Sequence, residues 1–168
     1  MCRLVKRMCA AMLALAALAP AQAVEPGQAA PDFAIPAGAV AGAARLADLR
    51  GKVVYLDFWA SWCGPCKQSF PWMAAMQARY AAQGLQIIAV NLDTDSEDGK
   101  RFLLATPAAF PVAFDPEGKL PRQYAIKGMP SSILIGRDGR VRKQHAGFNP
   151  KIQQQLEADI QSALEAQP

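Results

Sequence analysis

A chain of 168 residues with 52% hydrophobic and 19% charged content has the makings of one globular domain with a substantial core, which excludes a disordered segment. Its 12 glycines and 13 prolines are scattered without period, which excludes a collagen-like or low-complexity chain and leaves no repeat for a solenoid. The formal charge of +4 invites a nucleic-acid reading, but Arg3, Lys6 and Arg7 all precede the first apolar run, and without residues 1–23 the charge falls to about +1. No nucleic-acid partner is expected.

That first apolar run, residues 8–19, is followed by Pro20-Ala21-Gln22-Ala23. A charged start, a short apolar stretch and a small-x-small site read as a secretory signal cleaved after Ala23. The run is shorter than the roughly 20 residues a bilayer span needs. An uncleaved anchor is the alternative. Neither Cys2 nor Cys9 directly follows the apolar stretch, so no lipid attachment site is expected, and the mature domain, residues 24–168, keeps Cys63 and Cys66.

Residues 24–49 are rich in Ala, Gly and Pro and read as an irregular lead-in anchored by Phe33, Ile35, Val40 and Leu46. The nearly continuous apolar run at 53–60 predicts a central strand covered on both faces. After Ser61-Trp62-Cys63-Gly64-Pro65-Cys66, the residues Phe70, Met73, Ala74, Met76 and Tyr80 recur at helical spacing until Gly84 supplies a stop. Residues 85–92 form the next apolar run, which makes a strand–helix–strand unit with parallel strands. The stretch 93–117 reads as an insertion: a helix capped by Asp95 or Ser96 and containing Phe102 and Leu103, then a short strand near 112–114. A further short helix is predicted at 119–124. Residues 132–135 and 141–146 flank Arg137-Asp138-Gly139-Arg140, a hairpin signal of the Asp-Gly type. Asn149 and Pro150 then cap and start a closing helix with Ile152, Leu156, Ile160 and Leu164 on one face. The expected architecture is α/β, a mixed central sheet with helices on both faces and an inserted helix–strand segment in the middle.

Cys63 and Cys66 would close too short a loop to staple the fold, because the stabilisation from a bridge grows with the loop it closes. Placed where a buried strand turns into a helix, they suit chemistry instead. Unpaired N–H groups and the positive end of the helix dipole favour a thiolate at Cys63, whose pKa is expected to fall toward the roughly 3.5–7.5 range of such motifs. Cys63 is then the exposed nucleophile, and Cys66, one turn deeper, resolves the mixed disulfide. Pro65 pre-sets the first turn. A zinc site would need two more ligands, and His145 is the sole other nitrogen candidate in the mature chain, so no metal is expected. Asp57 lies inside the apolar strand; unless it is a solvated strand-end residue, burial raises its pKa and keeps it partly protonated.

The run from Val54 through Trp62-Cys63-Gly64-Pro65-Cys66 to Lys67 closely resembles the active-site strand and helix start of thioredoxins. Ala30-Pro31-Asp32-Phe33, Phe70-Pro71, the leader and the central insertion resemble the exported TlpA/ResA type of thioredoxin-like protein, over nearly all the chain from Gly27. The resemblance implies a thioredoxin-like fold. It implies that Met129-Pro130 is a cis peptide facing the cysteines, with the Met129 backbone open to a substrate strand. Trp62, Gly64 and Pro65 would complete that substrate surface, although Trp62 also reads as an ordinary packing aromatic. It further implies that Asp57 takes the proton of Cys66. Many relatives of this type carry Asn at the Asp57 position and a Glu three residues after the second cysteine. Ser69 stands there in this chain, which shifts the acid–base role to Asp57 and speaks against a specialist in cytochrome maturation.

The sequence thus predicts an exported, periplasmic, monomeric thiol–disulfide oxidoreductase that needs no diffusible cofactor. Because its Gly-Pro pair matches thioredoxin, it is expected to reduce disulfides of cysteine-containing exported clients. In an oxidising compartment its electrons would come from a membrane-spanning donor through transient contact. The rival readings are a redoxin-type peroxidase, and an electron donor or copper chaperone in cytochrome c or copper-site assembly. His145 reads as a surface side chain, Arg137, Arg140, Arg142 and Lys143 as a solvated basic cluster protecting an edge, and Met73 and Met76 as helix packing.

Overall fold

The apolar run after Gly51 forms β1, Val53–Trp59, and every one of its residues is buried. It is the middle strand of a five-stranded sheet. On one side it pairs in parallel with β2, Leu85–Asn91, which pairs in parallel with β3, Val112–Phe114. On the other it pairs antiparallel with β4, Ser131–Ile135, which pairs antiparallel with β5, Val141–Ala146. The mixed α/β sheet expected from the sequence is thus present, in the order β3-β2-β1-β4-β5. The computed structural model describes residues 24–166, so the expected leader at 1–23, with Cys2 and Cys9, lies outside the described residues. Among those described, no helix is long and apolar enough to cross a membrane.

Side chains alternate across β1 and supply two cores. Val53, Tyr55 and Trp59 face α1, Gly64–Tyr80, and α4, Pro150–Glu165, against Phe70, Met73, Leu156 and Ile160. Phe102 of α2, Ser96–Ala105, packs on the same side and joins an aromatic cluster with Trp59 and Phe70. Val54, Leu56 and Phe58 face the other way. There the cover is the lead-in and Tyr124, which caps the five-residue α3, Lys119–Gln123. Phe33, Ile35, Val40 and Leu46 anchor the lead-in as expected, joined by Val24, Ala43 and Leu49. Tyr124 donates to the Pro31 carbonyl at 2.7 Å, and Asp32 accepts from Arg45 Nε at 2.7 Å and the Ala47 N–H at 3.0 Å.

The antiparallel hairpin expected from Asp138-Gly139 joins β4 and β5. Gly139 alone takes positive φ, at 70°, its N–H donates to the Gly136 carbonyl, and the Gly136 N–H donates to Arg140. Arg137 and Asp138 keep negative φ, so the loop has three residues and Gly139 occupies its left-handed last position. The basic cluster is solvated in part, with Arg140 and Lys143 exposed, but its guanidinium groups also tie backbone and turn together. Arg137 donates to the carbonyls of Gly51 at 2.7 Å, Gln83 at 2.9 Å and Leu164 at 3.1 Å, Arg140 to Gly27 at 2.7 Å, and Arg142 pairs with Asp138. Arg137 thus satisfies carbonyls at or beside the ends of β1, the turn before β2 and α4, where a helix or strand end leaves acceptors open.

Candidate active site

Cys63 ends the loop after β1 as the N-cap of α1, in extended conformation with φ −80° and ψ 104°. Its sulfur accepts the Cys66 N–H at 3.3 Å, one of the donors that a helix start leaves unpaired. Gly64 and Pro65 open the helix, and Pro65 forfeits only an N–H that would have had no intrahelical partner. Pro71 sits inside the same helix without ending it. A disulfide joins Cys63 and Cys66 with their Cα atoms 5.3 Å apart. In this oxidised state Cys66 is fully buried and Cys63 retains 5% exposure, so the sequence expectation of an exposed Cys63 sulfur is corrected. Both cysteines belong to the hydrophobic cluster packed between β1, α1 and α4, and that enclosure is the cause.

Asp57 projects from β1 to the same face, between Tyr55 and Trp59. It is 2% exposed, its Oδ2 has no protein partner, and burial pushes its carboxyl well above the usual carboxylate range. The alternative of a solvated strand-end residue is thereby removed. Burial, with the Asp57 carboxyl adding to it, also drives the Tyr55 hydroxyl upward. Ser69 is buried and donates to the Cys66 carbonyl at 2.9 Å.

A second buried carboxylate escaped the sequence reading. Asp93, at the start of the insertion, accepts from the Ser61 N–H at 2.9 Å, the Ser61 hydroxyl at 3.0 Å and the Asn91 amide at 2.7 Å. It ties the loop that carries Trp62 and Cys63 to the end of β2. The available signal was Asn91-Leu92-Asp93 directly after an apolar strand, polar groups just where the chain leaves the core.

Met129-Pro130 is cis, as expected. Ser131 pairs with Phe58, which places Pro130 at the end of the sheet from which the Cys63 loop emerges. Met129 packs against the cluster containing both cysteines, and Gly128, Met129 and Pro130 line an open groove of about 490 Å³ with Gln144 and Gly147. Trp62, Gly64 and Pro65 are exposed, and Trp62, at 71%, is no packing aromatic. His145 departs from its surface reading: its side chain is 13% exposed and its Nε2 lies 2.8 Å from Asp159 Oδ2 on α4. Met73 and Met76 are core residues. Among the described residues no cluster of three or more His, Cys, Asp or Glu is placed to hold a metal ion.

Residues 25–163 match the family model described as Redoxin. The chain belongs to the redoxin family. This redoxin is 37% identical over 116 residues to the thiol-disulfide oxidoreductase ResA of a Bacillus cereus strain, covering 69% of its own length and 66% of that relative's, just under two thirds. It is 34% identical to the ResA of Geobacillus thermodenitrificans, over 81% of the redoxin and 79% of the relative. A solved structure assigned as thiol:disulfide interchange protein DsbE of Chlorobium tepidum superposes with a TM-score of 0.79 at 55% identity, covering 84% of the redoxin and 99% of that chain. These similarities and the mixed five-stranded sheet make the fold of this redoxin thioredoxin-like.

Proposed function

We propose that this protein is an exported, periplasmic thiol–disulfide oxidoreductase that reduces disulfides of cysteine-containing client proteins. One observation carries the reading: the paired sulfurs sit at the start of α1, with Cys63 accepting the Cys66 N–H, and a buried carboxyl lies on the same face of the sheet. Similarity to proteins named thiol-disulfide oxidoreductase and thiol:disulfide interchange protein supports the reaction class.

In the reduced protein, the Cys63 thiolate attacks a client disulfide and forms a mixed disulfide, while one client sulfur leaves as a thiolate and takes up a proton. Asp57 in its ionised form accepts the proton of Cys66, whose thiolate then attacks Cys63 Sγ and expels the second client sulfur. Two electrons have passed to the client, and Cys63–Cys66 is oxidised. A membrane-spanning dithiol donor, met through transient contact, returns the pair to the reduced state. A client strand would pair with the Met129 backbone beside Pro130, with Trp62, Gly64 and Pro65 forming the opposite wall. The redox-active group is the cysteine pair itself, and the leader at 1–23 supplies the export reading.

The test is a Cys66→Ser variant expressed with its leader in a bacterial host with a periplasm. Recovery of a defined set of exported cysteine proteins disulfide-bonded to Cys63 is the expected result. An empty trap with the donor system active would overturn the client-reductase reading, and a strongly oxidising potential for the wild-type pair would reverse its direction.

A further inference from the structure

The groove beside Met129 and Pro130 opens on the side of the sheet away from the disulfide. Gln144 and Ala146 of β5 stand opposite Ile133 and Ser131 of β4, and directly opposed residues of antiparallel strands project to the same side. Ile133 packs with Leu56 and Phe58 in the core under the lead-in, so Gln144 and Ala146 face that side. They line the groove together with Lys127, from the loop before β4. Met129 belongs to both surfaces: it packs against the cluster holding Cys63 and Cys66, and it lines the groove. A polypeptide that meets Cys63 and pairs with the Met129 backbone therefore has the groove as its continuation.

The groove suits an extended chain that carries negative charge. Its walls are already set, because the Ser131 hydroxyl donates to the Gly128 carbonyl at 2.7 Å and the Gly147 N–H to the Pro130 carbonyl at 2.8 Å. Since Gly147 directs its N–H at β4, the alternation of an antiparallel ladder turns the backbone groups of Ala146 and Gln144 outward. The lead-in backbone pairs with β5 at Val141 and does not reach them. Such an open edge accepts an extended segment. Lys127 is exposed and is the one charged residue lining the groove, and among the described residues no carboxylate pairs with it.

We propose that this groove is a second binding stretch for the client, and that Lys127 selects clients bearing a carboxylate close to the attacked cysteine. This inference rests on the proposed reading of the protein as a client reductase. Lys127 is two residues from Met129, and an extended chain covers about 3.3 Å per residue, so the matching client positions lie two to four residues from its cysteine. The client carboxylate pairs with Lys127 Nζ, and its backbone lies along Gln144 and Ala146. The groove opens away from the face that holds Cys66 and Asp57, so it acts on the encounter and not on resolution of the mixed disulfide. Lys127 is thus a specificity-determining residue that touches the client and not the reacting sulfurs.

The test uses the exported protein, purified and reduced. The probes are synthetic peptides with one cysteine disulfide-bonded to a small thiol, carrying Glu or Lys two, three or four positions from it. Each second-order rate of peptide reduction is read as a ratio to that of a small aromatic disulfide too short to reach the groove. The best-placed Glu peptide is expected to react about fivefold faster than its Lys counterpart at low ionic strength, the scale of an exposed ion pair, and the preference should fade in roughly 1 M salt. Lys127→Glu should invert the preference. Ala146→Phe, at an exposed strand position that suits an aromatic residue, should fill the groove and lower the ratio for both peptides about tenfold. A charge preference missing at every position, or left unchanged by Lys127→Glu, overturns the selection by Lys127. An unchanged ratio in folded Ala146→Phe overturns the binding stretch itself. If Ala146→Phe fails to fold, Lys127→Glu decides alone, since its position is exposed. Sedimentation showing a wild-type dimer that Ala146→Phe dissociates would give the groove to a second copy of the chain and overturn the client assignment. Failure of the wild-type protein to reduce either the peptides or the small disulfide would instead overturn the underlying oxidoreductase reading.

Discussion

A carboxyl group enclosed in the middle of a strand resists ionisation, and Asp57 therefore costs the fold more as pH rises. Its folded pKa lies well above the ordinary carboxylate range because of burial. Below that range both folded and unfolded chains hold the proton and no penalty exists. As pH climbs, the unfolded chain loses its proton first, and stability falls by about 1.4 kcal/mol per pH unit until the folded carboxyl also ionises. Asp57→Asn removes this slope. Urea midpoints of the oxidised protein should converge with wild type in acid and exceed it at neutral pH, while resolution of the mixed disulfide slows; equal midpoints at both pH values would show that Asp57 is not held protonated. Cys63, Cys66 and Asp57 were legible in the sequence because their meaning is local, polar groups within one apolar strand and the turn that follows it. Asp93 and His145 were not. Their partners, Ser61 and Asp159, come from elements that only the tertiary fold brings beside them.

At the scale of elements, periodicity with cap and turn signals located the five strands and four α-helices but not the short 3-10 turns Leu46–Leu49 and Ala81–Gln83, and Asp95 and Asn149 cap α2 and α4 with their side chains as their residue types suggest. Less legible was how the inserted helix bears on the site. Gly99 of α2 lies so close to Asn91 that a Cβ at that position would come within 2.6 Å of the Asn91 amide nitrogen. Asn91 cannot yield, since it is buried and its amide donates to Asp93, which in turn holds Ser61. Gly99→Ala is therefore expected to cost about 2 kcal/mol. It should also loosen the Ser61-Trp62 segment, read as faster hydrogen exchange at the Ser61 N–H, with the far hairpin unchanged. Exchange at Ser61 as slow as in wild type would mean that α2 does not bear on the active-site loop. A glycine within a helical pattern carries no such information by itself, because the contact that demands it is made by another strand.

For the whole molecule, the strand–helix–strand unit and the closing hairpin and helix were readable as a central mixed sheet, yet the role of residues 24–49 was not. Low periodicity and many small residues suggested a segment leaning on the domain, whereas it supplies seven side chains to the core beneath Val54, Leu56 and Phe58. Without helices of useful length on that side, the sheet face would remain wet, so the lead-in and the sheet must fold as one unit. Phe33 is the largest of the seven side chains and is nearly fully buried. Phe33→Ala removes its transfer energy and leaves a cavity that the backbone bonds of the lead-in, Ile35 to Ala44 and Leu46 to Phe33, keep from collapsing. The expected loss is about 3 kcal/mol in a urea titration of the mature oxidised protein, in a single transition, although Phe33 packs on the face opposite the cysteines. The rate of Cys63 alkylation in the reduced variant should stay within about twofold of wild type under native conditions, since the α1 face keeps its own packing. Two separated transitions would show that the lead-in is an appended segment, and the two-core description of this fold would then fail.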